Sequence, residues 1–394
     1  MKALIAADAD NNAKGQNGRS ALHFASRKGY TDIVNILLDN GASVESRDNI
    51  YGRTPLWFAA ANGRTDVVRA LLSAGADVNT QRNDGWSALG IASHKGHIEV
   101  VNILLDNGAQ VESRDNEYGR TPLWSAAANG RTDVVRALLS AGADVNTQRN
   151  DGWSALGVAS KVGHIEVVNV LLDNGAHIES RDNEYGCTPL YLATANGRTD
   201  VVRALVSAGA DVNTKTNNGW SALGVASDGH IEVVNILLDN GAHIESRDDC
   251  GGTLLWSAAR NGSVQIIDLL VEHEADVDAV NYSGFTPVCI AADRGHRDAV
   301  KTLLQHGANS RYLDHEYIDP VYRTALLCTR DVKEILELLL NYGLPETATH
   351  GVREDTLIDA AERGRVDIVN TLLEYGADMY DRYFENTLPI HGQL

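Results

Sequence analysis

The sequence predicts an all-α solenoid of stacked helix-turn-helix units joined by hairpin-like connectors. Three observations lead there. The octapeptide NDGWSALG stands at 83–90 and 150–157 and returns as NNGWSALG at 217–224, in steps of 67 residues. Each half of that period runs through the same order of turn, cap, apolar stripe, glycine, second stripe and second glycine. One half alone has too little apolar surface to close a core, so its neighbours must supply the other wall.

The duplication is close. Residues 52–118 align with 119–185 without gaps, and seven of the 67 positions differ: 58/125, 91/158, 94/161, 95/162, 103/170, 110/177 and 111/178. Each long unit splits into 33 and 34 residues, 52–84 opening with GRTPLWFAAANGRTDVVRALLSAGADVN and 85–118 opening with GWSALGIASHKGHIEVVNILLDNGAQVE. The array therefore alternates two flavours of one unit.

The elements follow in order within a unit. Thr54 is placed to cap a helix that opens with Pro55, because its hydroxyl accepts a free amide hydrogen where proline has none to satisfy. Leu56, Ala59 and Ala60 make a narrow apolar face whose small residues admit a close neighbour. Gly63 stops this helix, since glycine takes the left-handed conformation cheaply. Val67, Val68, Leu71 and Leu72 form the stripe of the second helix, and Gly75 ends it. AGADVNTQRNDG, rich in Asn, Asp and Gly, is the extended connector to the next unit.

These residues resemble ankyrin repeats. TPLWFAAANG, GHIEVVNILLDNGA and GADVN are similar to the family's T-P-L-H-x-A, GH-x-E-V-V and GADVN patterns, over nearly the whole chain. Nine repeats open at Gly18, Gly52, Gly85, Gly119, Gly152, Gly186, Gly219, Gly251 and Gly284. The expected organisation is a partial repeat over 1–17, these nine repeats over 18–314 and divergent repeats with a partial cap over 315–394. Residues 3–22 align with 70–89, inside a repeat, which points to a piece of a longer array. Asp228-Gly229 is one residue shorter than its counterpart, predicting a tighter turn and a local bend.

The resemblance implies a binding module in which connectors and first helices line a concave groove for protein partners. Three positions of the repeat depart from plain scaffold. The residue after the opening glycine, on the groove rim by resemblance, reads Arg19, Arg53, Trp86, Arg120, Trp153, Cys187, Trp220, Gly252 and Phe285. Trp and Arg are the types that most often dominate interface energetics, and an arginine can lie over an indole face. Four residues on, the series is His23, Trp57, Gly90, Trp124, Gly157, Tyr191, Gly224, Trp256 and Cys289. Residues four apart share a helix face, so Trp86 is expected over the space at Gly90, with Trp57 and Trp124 filling it from the sides. That series is groove floor or packing, and its glycines either complement the rings or open aromatic-walled pockets. The end of the first helix varies as Arg27-Lys28, His94-Lys95 and Lys161-Val162, which the resemblance marks as partner-binding.

Composition narrows the partners. A net charge of −19, from 53 acidic and 34 basic side chains, disfavours nucleic acid and anionic membrane surfaces. No apolar run approaches the roughly 18 residues of a membrane span. Asp8 and Asp10 break the short apolar patch near Met1, against a signal peptide. Cys187, Cys250, Cys289 and Cys328 include no CxxC pair and read as reduced thiols of a cytoplasmic or nuclear protein. His97, Glu99, His164, Glu166, His230 and Glu232 form an HxE series that the family pattern already contains, and no phosphate loop, GxSxG or HExxH is present. The expectation is a monomeric, non-catalytic protein-interaction scaffold without cofactor or metal. The alternative is a groove enzyme or small-molecule binder using an aromatic-walled pocket, with residues 315–355 as the stretch able to hold a dedicated site.

Overall fold

The computed structural model describes residues 10–226, 230–309 and 332–343, residue 357, and residues 360–362 and 364–374. The turn at Asp228-Gly229, residues 1–9 of the partial first repeat, most of 315–355 and Cys328 lie outside the described residues. The chain divides into two compact units, Met1–Asp211 and Val212–Leu394.

In the first unit, helix pairs follow one another as Ala21–Lys28 with Thr31–Asp39, Pro55–Ala61 with Thr65–Ser73, and Ala88–Lys95 with Ile98–Asp106. They continue as Pro122–Ala128 with Thr132–Ser140, Ala155–Val162 with Ile165–Asp173, and Pro189–Ala195 with Thr199–Ser207. First helices pack on first helices and second on second, so the core is a ladder. Its rungs are Leu22, Leu56, Leu89, Leu123, Leu156 and Leu190 on one side and Leu71, Leu104, Leu138, Leu171 and Leu205 on the other, all buried. The alanines Ala59, Ala92, Ala126, Ala159 and Ala193 are wholly buried where first helices meet. The second unit repeats the plan with Leu254–Asn261 and Val264–Glu272, Pro287–Asp293 and Arg297–Gln305, and the helices Val332–Gly343 and Val366–Glu374.

Local chemistry sets the ends of each helix. The Trp57, Trp124 and Tyr191 amides donate to Thr54, Thr121 and Thr188 Oγ1 at 3.2 Å, with proline in the first turn. The second flavour uses serine: Gly90 and Gly157 donate to Ser87 and Ser154 Oγ at 3.0 Å. Asn62, Asn107, Asn129 and Asn174 return their side-chain amides to the carbonyl four residues back, and at Asn62, Asn129 and Asn174 that carbonyl is one the helix end leaves free. Gly63 then turns with φ +64°, and a Cβ there would lie 2.8 Å from His97 Nδ1 of the next repeat. That imidazole packs on the turn, as His164 does on Gly130.

The connectors are turns, with isolated antiparallel bridges at Gln81–Ser87, Gln148–Ser154 and Lys215–Ser221. They are stitched sideways by backbone bonds from Asn83 N to Tyr51 O, Asn116 N to Asp84 O and Asn150 N to Tyr118 O, at 2.7, 2.8 and 2.9 Å. The asparagine of GADVN bridges repeats as well: Asn79 accepts from the Gln110 amide at 2.8 Å and donates to Gly108 O at 3.2 Å.

Candidate functional site

The candidate surface of the first unit lies along its connectors and first helices, and it begins with a buried acid. Asp48 accepts from the Tyr51 and Arg53 amides at 3.1 Å and from Arg53 Nη2 at 2.7 Å, with Arg19 Nε at 3.3 Å. Burial pushes this carboxyl up, but the bonds from Arg53 and the turn amides prevail and hold it at about 2. Asp115 repeats the arrangement with the Tyr118 and Arg120 amides and Arg120 Nε at 2.7 Å. Arg19, Arg53 and Arg120 are thus half-buried counter-ions of the turn, not free rim charges. Their identity was legible; the acids that hold them were not, because Asp48 and Asp115 look like ordinary polar connector residues.

The guanidiniums also stack. Arg53 and Arg82 lie 5.0 and 5.2 Å from the Tyr51 ring centre, and Arg120 and Arg149 lie 4.9 and 5.1 Å from that of Tyr118. Trp57 carries Arg53 and Arg82, Trp86 carries Arg82 and Arg120, and Trp124 carries Arg149. Arg82 and Arg149 are themselves paired with Asp84 and Asp151. Tyr51, Tyr118 and Tyr185 stand outermost, 47, 42 and 50% exposed, each one residue before a repeat's opening glycine. Sequence reasoning passed over these tyrosines, although they recur at the same 67-residue step as the tryptophans.

The two tryptophan series separate. Trp57 and Trp256 are 8% exposed, whereas Trp124 and Tyr191 are half-buried. Trp86, Trp153 and Trp220 are half-buried at the connectors, and Gly90, Gly157 and Gly224 are buried. A Cβ at Gly90 would meet Trp86 Cε3 at 3.6 Å, and one at Gly224 would meet Trp220 Cε3 at 3.2 Å, so those rings do cover their glycines. One expectation fails at Gly90, and Gly157 departs from the pattern. No atom of Trp57 or Trp124 comes within 4 Å of that point at Gly90, because each ring is held beneath arginines of its own connectors. At Gly157 the nearest side chains are Ser154 and Leu192, and Trp153 instead lies under Lys161 Nζ at 4.9 Å. Leu192 occupies the position of Phe58 and Ser125, which decides what fills the gap.

The first-helix ends lie beside this surface. Arg27, Lys28, Lys95 and Lys161 are exposed. His94 is half-buried, edge-on to Trp86 at 5.7 Å and within 3.0 Å of Asn129 Nδ2, and burial followed by Lys95, Arg131 and Arg120 pushes its pKa down. In the second unit, Phe285 is half-buried with its amide on Asn281 Oδ1 at 2.9 Å. Cys187, Cys250 and Cys289 are not joined in disulfides. No helix among the described residues is long and apolar enough to cross a membrane, and none of their His, Cys, Asp and Glu side chains form a group of three able to hold a metal ion.

A family model for ankyrin repeats matches residues 1–82, 75–149, 113–182, 141–216, 179–248 and 225–314. The chain belongs to the ankyrin-repeat family, whose repeats are protein–protein interaction modules and generally non-enzymatic. It is 34% identical over 136 residues to the Caenorhabditis elegans ankyrin repeat and KH domain-containing protein mask-1, covering 33% of this chain and 5% of that protein. It is 33% identical over 144 residues to human SH3 and multiple ankyrin repeat domains protein 2, covering 36% of this chain and 8% of that protein. The crystal structure of the human ASB11 ankyrin repeat domain matches with 33% identity and a TM-score of 0.48, covering 52% of this chain and 90% of that one. The chain thus spans a small part of the length of the curated relatives it matches.

Proposed function

We propose that this chain holds a protein partner along the connector tips and first helices of its first unit, as a monomeric, non-catalytic scaffold in the cytoplasm or nucleus. The observation that carries the reading is the row of exposed tyrosines. Tyr51 and Tyr118 are each gripped between two guanidiniums, while Tyr185 holds the same place in the next repeat of that flavour. A ring fixed before binding loses little freedom on contact, and Tyr, Trp and Arg are the types that anchor interfaces. Trp86 and Trp153 supply the inner wall, and Arg27, Lys28, Lys95 and Lys161 supply charge on an otherwise acidic chain. The acids of the first unit with shifted pKa values, Asp48, Asp115 and Asp151, are occupied by arginines, which supports binding over acid–base catalysis on this surface.

The test is capture of partners from native lysate by wild type and by a Tyr51/Tyr118/Tyr185→Ser variant, with circular dichroism and thermal melting alongside. The variant should fold and melt close to wild type, since its rings are exposed, and should lose specific partners. Undiminished capture of the same partners would overturn this placement of the surface.

A further inference from the structure

A net charge of −19 favours basic partners, yet the charge of the first unit is not spread evenly. Its first helices, ALHFASRK, PLWFAAA, ALGIASHK, PLWSAAA, ALGVASKV and PLYLATA, contain no Asp or Glu. Their lysines and arginines all stand in the last turn, as Arg27, Lys28, Lys95 and Lys161. The carboxylates of the unit lie on second helices and connectors, and there Asp48, Asp84, Asp115 and Asp151 are already paired with arginines.

The following repeat adds a second cation at each of these ends. The last carbonyls of a helix carry partial negative charge that attracts a cation. Arg64 Nε donates to Arg27 O at 3.3 Å, and Arg198 Nε donates to Lys161 O at 3.2 Å. Arg131 lies against Gly96 in the same way, for a Cβ there would stand 2.7 Å from its Cδ. Three exposed groups result: Arg27 and Lys28 with Arg64, Lys95 with Arg131, and Lys161 with Arg198. Among the described residues none of them forms an ion pair, in contrast to Arg53, Arg82, Arg120 and Arg149. The acids nearest in sequence, Asp66, Asp133 and Asp200, sit in the first turn of the second helices, where the amide end holds them. His94 reports the local field: the charges acting on it are Lys95, Arg131 and Arg120, all lowering its pKa, whereas His23 also feels Asp48.

We propose that an acidic, extended segment of the partner protein lies along these first-helix ends, its carboxylates grouped to meet the three cation groups in turn. The inference rests on the protein-binding reading and names the chemistry the partner brings. The groups recur on every second repeat, with Ala61-Asn62 and Ala128-Asn129 between them. Stacked helices stand roughly 8–10 Å apart, so the groups are roughly 16–20 Å apart, a span that an extended chain crosses in about five residues. The alanine steps between them admit a backbone close to the helices. Nucleic acid fits this pattern less well, because a phosphate at every nucleotide would place most charges over the alanine steps of an acidic chain.

The experiment uses the full chain and the fluorescein-labelled peptide EEGSYEEGSYEEGSY, followed by anisotropy. The peptide should bind saturably at low salt and several-fold more weakly at physiological salt. KKGSYKKGSYKKGSY should bind at least roughly tenfold more weakly, since like charges then face each other. EEEEEEGSYGSYGSY has the same composition without the spacing and should bind roughly threefold to tenfold more weakly, because it cannot reach all three groups at once. Lys95→Glu with Lys161→Glu should weaken binding of the spaced peptide by roughly tenfold or more. Arg69→Glu with Arg136→Glu makes the same change in net charge at exposed positions of the second helices and should stay within about twofold of wild type. Circular dichroism should show the same helical spectrum for both variants, since all four side chains are exposed. No saturable binding would overturn the acidic segment, as would equal binding of the lysine or clustered peptide. An equal loss in the second-helix variant, or tighter binding of an oligothymidylate of the same length, would overturn it too. If the peptides fail while wild type still captures partners that Tyr51/Tyr118/Tyr185→Ser releases, the acidic segment falls and the protein-binding surface stands.

Discussion

At Gly90 an added methyl would stand 3.4 Å from Ser87 Oγ and 3.6 Å from Trp86 Cε3, which is close to ordinary contact. A helical glycine is about 1 kcal/mol worse than alanine, so Gly90→Ala should raise stability by roughly 0.5–1 kcal/mol in thermal or urea melts. Gly224→Ala should gain less, because its methyl meets Trp220 at 3.2 Å. Gly252→Ala should lose stability, with Trp256 at 3.0 Å and Asp248 at 3.3 Å. The three glycines thus have different reasons to be there, and a gain at Gly90 would mean that packing alone does not require that one. The buried acids carry a pH signature. Asp48 sits at about 2 in the fold against an ordinary 3.8, so its pairing stabilises fully above pH 3.8 and is lost as pH falls towards 2. Asp48→Asn should flatten the acid limb of the stability profile over that window while lowering stability at neutral pH.

At the scale of the helix pair, each repeat is held by its caps and by leucines that face its neighbours. Thr121→Ala removes the hydroxyl that accepts the Trp124 amide at 3.2 Å and should cost about 1 kcal/mol. Leu104 is wholly buried between second helices, and Leu104→Ala should cost about 2–5 kcal/mol, the range for a truncated core leucine that leaves a cavity. Both are read by denaturant melts. The contrast between them checks the ladder: a cap serves one helix, whereas a rung serves the repeats on both sides.

At the scale of the whole molecule, the charge of −19 acts on everything the chain meets. Self-repulsion in so acidic a chain is screened by salt, so the melting temperature should rise between about 0.02 and 0.2 M sodium chloride. A fall over that range would mean that the arginine–aspartate pairs of the connectors outweigh the net charge. Near-identical neighbours also give the array its own kind of cooperativity, since stability in such arrays is a sum of repeat and interface terms.

Periodicity made the helices legible. Glycine spacing, the Thr-Pro and Ser caps and stripes such as Val67, Val68 and Leu71 state where each helix starts, which face it buries and where it ends. They could do so because these are local preferences repeated until chance is excluded. Which side chains meet across repeats is another matter, because partners some 30 residues apart leave no local trace. That is why Trp57 and Trp124 were expected at Gly90 and found under arginines, and why the tyrosines at the tips were passed over. By itself the sequence determined the repeat, the helix pairs and the family, since all three are written in spacing. Only the tertiary structure decided that Arg53 and Arg120 belong to buried acids, because burial and pairing arise only when the connectors stack.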